Sequence, residues 1–218
     1  NMDDITAELT GFDSDFYLIQ EVDIDSTRAH HVDESVILTS RLADKDSRSY
    51  TFAQNYDSPY LFYPFTKPQG KSKSGLMTFS DYSIESALRR RLPVQTDAAK
   101  IMDLDRCYVV NRIPTDNGKE LVLINFHLSA YTTDPTIANQ QLEVLYEDMS
   151  AEYAEGNYVI CGGDFNKDLL GDSSVYFGIS KKDYSWAKSF PFESVPEGFS
   201  LVAPLDERNP VPSSRNAD

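Results

Sequence analysis

Between residues 120 and 163 the sequence passes from one apolar strand, through a long amphipathic helix, into a second apolar strand. "ELVLINFHL" (120–128) is an apolar run of strand length, and Tyr158, Val159, Ile160 and Cys161 form a short buried strand by composition, which Gly162 and Gly163 are expected to end. Ala138, Leu142, Leu145, Met149 and Tyr153 recur at helical spacing, predicting a helix over 135–155 that buries this stripe. Asp134 is placed to cap it, Pro135 suits its first turn, and Gly156 can end it. Such a strand, helix, strand succession favours an α/β arrangement over an all-β one.

Other elements follow from the same periodicities. Met2, Ile5 and Leu9 share one face of a first helix over 2–10, with Gly11 behind it. "DFYLIQEVD" (15–23) reads as a mostly apolar strand, and "HHVDESVILTSRLAD" (30–44) as a second helix. Strands are expected within 49–57, 74–80, 82–90 and 105–114, and Asn117-Gly118 joins the last to 120–128 as a hairpin. After Asp168 the chain is irregular, rich in Pro, Ser and aromatics, and no repeat or linker divides it, so residues 1–218 read as one domain.

Charge and cysteine content narrow the function. The net charge is −15, so the average field repels nucleic acid, and duplex DNA binding normally leaves a basic footprint. The local basic clusters, "KPQGKSKSG" (67–75) and "RRR" (89–91), could each cradle a phosphate locally, but read more readily as a solvated loop and an exposed strand end. Cys107 and Cys161 are too few for a disulfide framework or a cysteine-rich zinc site, and both lie in apolar runs as buried free thiols.

Three strands end in polar clusters of similar chemistry: "QEVD" (20–23), "NFHLSAY" (125–131) and "GGDFN" (162–166). Each alone is an ordinary surface or turn feature. Together they offer a hard oxygen ligand, a donor for an anion, and an acid with an adjacent amide. Mg²⁺ takes one or two protein carboxylates and leaves its other positions to water and phosphate, so the set suits metal-assisted phosphoryl chemistry. A calcium loop over 164–175 is excluded, because Leu169 and Val175 stand where the loop needs Gly and Glu. The chain contains no G-x-S-x-G, H-E-x-x-H or G-x-x-x-x-G-K-[ST] motif.

"LIQEVD", "GLMTFS", "LVLINFHLSAY" and "YVICGGDFN", in this order and spacing, resemble the endonuclease/exonuclease/phosphatase superfamily, the deoxyribonuclease-like fold. Stretches such as "AQNYDSPYLFYPFTKPQGKSKSGL" and "VPSSRNAD" are similar to those of bacterial members. The resemblance implies an α/β four-layer sandwich, two packed and mostly antiparallel β-sheets flanked by helices, with the site at one end. Glu21 resembles the metal-ligating glutamate, and Asp164 the aspartate that orients or deprotonates the attacking water. Asn166 resembles the amide that steadies phosphoryl oxygens, and His127 a residue that faces the scissile phosphate.

Implied with them are Mg²⁺, with Mn²⁺ as a substitute, and a phosphoester substrate. Small-molecule or lipid-linked phosphodiesters are favoured over duplex DNA because of the net charge of −15. The resemblance also implies bacterial relatives anchored at the cell surface by an N-terminal segment. Family members begin with an Asn-bearing strand and end with a Ser-Asp-His turn, and neither is present in this sequence. The chain is therefore expected to lack the family's first and last strands and, as given, to be weakly active or inactive. The alternative is a non-catalytic binding module that keeps the fold.

Overall fold

A computed structural model describes residues 2–43, 47–62, 66–94, 105–130, 135–178 and 188–202. In chain order these form α1 (Met2–Gly11), β1 (Phe16–Asp23), α2 (Glu34–Leu38), β2 (Ser49–Leu61), β3 (Gly70–Ser80), β4 (Ser86–Arg91), β5 (Cys107–Pro114) and β6 (Glu120–His127). They continue with α3 (Pro135–Ala154), β7 (Tyr158–Asp164), the short pair β8 (Lys167–Asp168) and β9 (Lys188–Ser189), and a single helical turn between those two, α4 (Ser173–Tyr176).

Among the described residues the strands build two main sheets, in the orders β1-β3-β2 and β4-β5-β6-β7. Every pairing in them is antiparallel except β6 with β7, which the α3 crossover makes parallel. The sheets pack face to face, β2 against β5, β3 against β6 and β1 against β7. Ala53, Leu76, Cys107 and Val109 fill part of the space between them. On one outer face α3 lays Leu142, Leu145 and Met149 on Tyr108, Val122, Ile124 and Phe126. On the other, Leu38, Leu42, Met2 and Leu9 cover Tyr17, Met77 and Phe79. Each fully buried Leu or Phe contributes about 1.5–3 kcal/mol. The result is the expected four-layer α/β sandwich.

A polar seam also crosses the interface between the sheets. Asn125, fully buried, donates through Nδ2 to the Met77 carbonyl at 2.9 Å and accepts from Gln20 Nε2 at 2.8 Å. Asn111 accepts from Thr51 Oγ1 at 2.6 Å and donates to the Leu123 carbonyl at 3.1 Å. Buried amides are costly unless bonded, so the cross-sheet bonds of Asn125 with Gln20 and Met77 and of Asn111 with Thr51 favour one register of sheet on sheet.

Local features agree with the sequence in part. Gly156, at φ +84°, ends α3 in a Schellman turn, its N–H bonding the Tyr153 carbonyl while the Asn157 N–H bonds that of Glu152. Asp134 lies outside the described residues, as does "VPSSRNAD". Tyr153, expected in the buried stripe, is exposed and packs with its ring tilted against that of Phe199, 5.4 Å between centroids. Ile5 of α1 is likewise exposed, Thr6 being the residue buried there, and Gly11 is the last residue of the helix rather than the one behind it. The second helix starts later than expected, because Asp33 caps it by accepting from the Val36 N–H. His30 and His31 precede it in a turn, both with left-handed φ. It continues as a π-helical turn over Thr39–Ala43.

β7 departs from the expected buried strand in two ways. It runs on through both glycines to Asp164, and Tyr158 and Ile160 are exposed. Val159 and Cys161 reach the core on the α3 side, whereas the opposite side of this marginal strand is covered by β1 only toward Gly162, where an added Cβ would meet Leu18 at 2.7 Å.

Of the two thiols, Cys107 is buried and Cys161 is half-buried. Burial pushes the Cys107 thiol from 9.0 up to about 11, against the pull of Arg89, and burial also raises that of Cys161. Neither is a thiolate at neutral pH, which removes a cysteine nucleophile. The folded state holds the Cys107 proton more tightly than the unfolded chain, so stability is intact below about pH 9 and falls as pH rises through about 11. Stability from urea unfolding measured across that window should drop by about 3 kcal/mol for this group. The drop should shrink in Cys107→Ala, and an unchanged slope in that variant would refute the assignment.

Candidate active site

The parallel register of β6 and β7 places His127 directly opposite Asp164. Directly paired residues point to the same face of a sheet, so the hairpin and crossover together put imidazole and carboxylate side by side. Gly163 permits this pairing: a Cβ there would stand 2.1 Å from the Phe126 carbonyl oxygen. Beyond the strand Asp164 Oδ1 accepts from the Asn166 N–H at 2.7 Å, a local turn that holds Asn166 at φ +50°. Asn166, nearly buried, donates through Nδ2 to the Leu128 carbonyl at 2.8 Å, while the Leu128 N–H bonds the Asp164 carbonyl at 2.9 Å. The motif "GGDFN" is thus stitched to the end of β6 on both sides, and Asp164 Oδ2 is left facing His127.

Glu21 arrives from the other sheet. The register of β1 on β3 shifts between Ile19 and Val22, and inside this bulge Glu21 takes φ +56°. Bulges re-aim a side chain, and a left-handed Glu is strained by about 1–3 kcal/mol. Here the bulge turns Glu21 toward the ends of β6 and β7. Its Oε1 lies 3.8 Å from His127 Nε2, and Asp164 Oδ2 lies 3.6 Å from the same nitrogen. The carboxylates are open to solvent, with side chains 45% and 39% exposed, whereas His127 at 1% lies beneath them.

Arg106, nearly buried, closes the floor. Its Nη1 stands 3.1 Å from both ring nitrogens of His127. A nitrogen so placed cannot lie in the ring plane without striking Cε1, so the guanidinium rests against the face of the imidazole. Arg28 flanks Glu21 from the loop after β1. It binds buried Asp23 through Nε (2.6 Å to Oδ2) and Nη2 (3.1 Å to Oδ1), and reaches Glu21 Oε2 through Nη1 at 3.0 Å. The Asp23 N–H donates to Glu34 Oε2 at 2.9 Å, and burial raises the Glu34 pKa above its ordinary value.

The profile of the Endonuclease/Exonuclease/phosphatase family matches residues 1–210. The chain belongs to this family. Solved structures that share its fold include a family protein from Leptotrichia buccalis C-1013-b, 14% identical with a TM-score of 0.55, covering 81% of this chain and 65% of that one. ANGEL2, a 2′,3′-cyclic phosphatase, in complex with adenosine-2′,3′-vanadate, is 19% identical with a TM-score of 0.54, covering 80% and 46%. The human Nocturnin catalytic domain with bound sulfate anion is 20% identical with a TM-score of 0.53, covering 75% and 56%. The chain therefore spans between 46% and 65% of the length of these structures. No curated protein matches it.

Within this family member the residues singled out in the sequence, Glu21, His127, Asp164 and Asn166, lie at one end of the sandwich. Two arginines at the same end escaped sequence reasoning. Arg106 was legible in principle: the hairpin pairs Tyr108 with Phe126, which carries the residues before β5 to the polar end of β6. Arg28 gave no signal, because a loop arginine is ordinarily solvated. Among the described residues no three His, Cys, Asp or Glu side chains form a group that could hold a metal unaided. Two solvent-facing carboxylates over one space are nonetheless the donor set Mg²⁺ uses when water and phosphate supply the rest.

Proposed function

We propose that the chain is the catalytic part of a Mg²⁺- or Mn²⁺-dependent phosphoester hydrolase in which an activated water attacks phosphorus. The observation that carries this reading is the convergence of Glu21 and Asp164 over His127 and Arg106. Glu21 would hold the metal, and a metal there would supply charge neutralisation on the phosphate and leaving oxygens. Asp164 Oδ2 takes the proton of the attacking water, because Oδ1 is engaged by the Asn166 N–H. Asn166 fixes that carboxylate through its backbone N–H, its side-chain amide being held by the Leu128 carbonyl. His127, with Arg106 against its ring, presents a donor and a positive charge beneath the bound phosphate.

The net charge of −15 favours a small or lipid-linked phosphodiester over long duplex DNA. The test offers the full-length protein an aryl phosphodiester, an aryl phosphomonoester and plasmid DNA with Mg²⁺ or Mn²⁺. Hydrolysis of an aryl ester that stops with a chelator and returns with added metal is expected. Hydrolysis that ignores the chelator, or none with any substrate, would overturn the reading. Plasmid degraded faster than the small diester would overturn the substrate preference.

A further inference from the structure

The loop after β1 carries a connection that the proposed chemistry does not by itself require. Arg28 is held as a fork: Nε and Nη2 both engage Asp23, and Nη1 alone reaches Glu21. Asp23 is itself fixed. Its carboxylate is buried, its N–H bonds Glu34, and Oδ1 lies 3.1 Å from the Ser26 hydroxyl. Ser26 is fully buried and accepts from the Lys73 N–H of β3 at 2.9 Å, which ties the loop to the sheet. A rigid chain of contacts thus runs from β3 through Ser26, Asp23 and Arg28 to one oxygen of Glu21.

Glu21 needs such a support. It stands in a bulge with left-handed φ, its side chain is 45% exposed, and its other polar neighbour, His127 Nε2, lies 3.8 Å away, too far for a hydrogen bond to fix its rotamer. We propose that Arg28 is a positioning residue that orients Glu21 for the metal, holding Oε2 so that Oε1 faces His127 and Asp164. This inference rests on the reading above, in which Glu21 is the metal ligand.

Charge decides the direction of the effect. A free guanidinium beside a dication site would repel the metal. Here the bidentate Asp23 carboxylate cancels the Arg28 charge at close range, leaving a directed donor with little net field. Arg28 therefore orders the ligand without opposing the cation. Outer partners of metal ligands typically matter about 10- to 100-fold in metal affinity.

The experiment measures binding of Mn²⁺ alone to the full-length protein, by electron paramagnetic resonance of the free ion, beside Tm and metal-activated turnover. Arg28→Gln should bind Mn²⁺ about 10- to 100-fold more weakly. Arg28→Lys keeps a cation on Asp23, so the loop stays folded, but one ammonium cannot span both carboxylates, and affinity should again fall. Lys71→Ala removes a different ion pair of the same loop, that of Lys71 with Asp25, and should leave Mn²⁺ affinity unchanged.

Equal or tighter Mn²⁺ binding by Arg28→Gln at unchanged Tm would overturn the inference. Where Arg28→Gln fails to fold, equal binding by Arg28→Lys overturns it. An equal loss in Lys71→Ala would assign the effect to loop integrity and overturn it too. A wild-type protein that binds Mn²⁺ and hydrolyses phosphoester while the variants match it defeats this inference alone. A wild-type protein that binds no Mn²⁺ defeats the metal-dependent function as well.

Discussion

Asp164→Asn in the full-length protein should lower kcat for an aryl phosphodiester about 10²- to 10⁴-fold, with small changes in KM and Tm. The substitution separates the two oxygens of the carboxylate. Asn keeps an acceptor for the Asn166 N–H, which Asp164 Oδ1 now engages at 2.7 Å, so the turn behind β7 and its bond to Leu128 persist. What is lost is the second oxygen, the one 3.6 Å from His127 Nε2, replaced by an amide that cannot take a proton from water. A merely structural Asp164 would show the opposite pattern, a lowered Tm with activity per folded molecule intact. Turnover like that of wild type would remove Asp164 from the chemistry.

Gly163→Ala should have a large effect on folding. The added Cβ would lie 2.1 Å from the Phe126 carbonyl oxygen, 2.9 Å from its carbonyl carbon and 3.0 Å from its ring. Two of those atoms are backbone, so no rotamer change relieves the clash. Relief requires β7 to move away from β6 at the pair Phe126–Gly163, one residue before His127–Asp164. We expect a loss above about 4 kcal/mol, the range reserved for broken cores and special backbone sites, or no folded protein at all. Gly11→Ala is the control, because no atom lies within 4 Å of its Cβ and Gly11 ends a helix. Urea midpoints for the two variants decide the matter, and a Gly163→Ala midpoint equal to that of wild type would show that β6 and β7 do not pair as described.

The linear order of residues determined those parts of the protein that depend on local pattern and short connections. The stripe Ala138, Leu142, Leu145 and Met149 recurs at the helical period and is buried, its last three residues against β6, as periodicity requires. A tight turn at Asn117-Gly118 imposes an antiparallel partner, and a helix between two strands imposes a parallel one. With those two registers set, His127 and Asp164 become neighbours, and the acid behind the two glycines of the "GGDFN" stretch is explained. Tertiary structure decided the rest, because the rest depends on contacts between segments far apart in sequence. Which side of β7 faces the core, and hence why Tyr158 and Ile160 are exposed, follows from where α3 packs and not from composition. The bulge that turns Glu21 to the site arises in the pairing of β1 with β3, and a strand's own sequence does not reveal its partner's register. Arg28 reads as an ordinary surface cation until the packing brings Asp23 and Glu21 within reach, and the hairpin carries Arg106 to the polar end of β6 without showing that it rests against the His127 ring, since such contacts depend on distance in space.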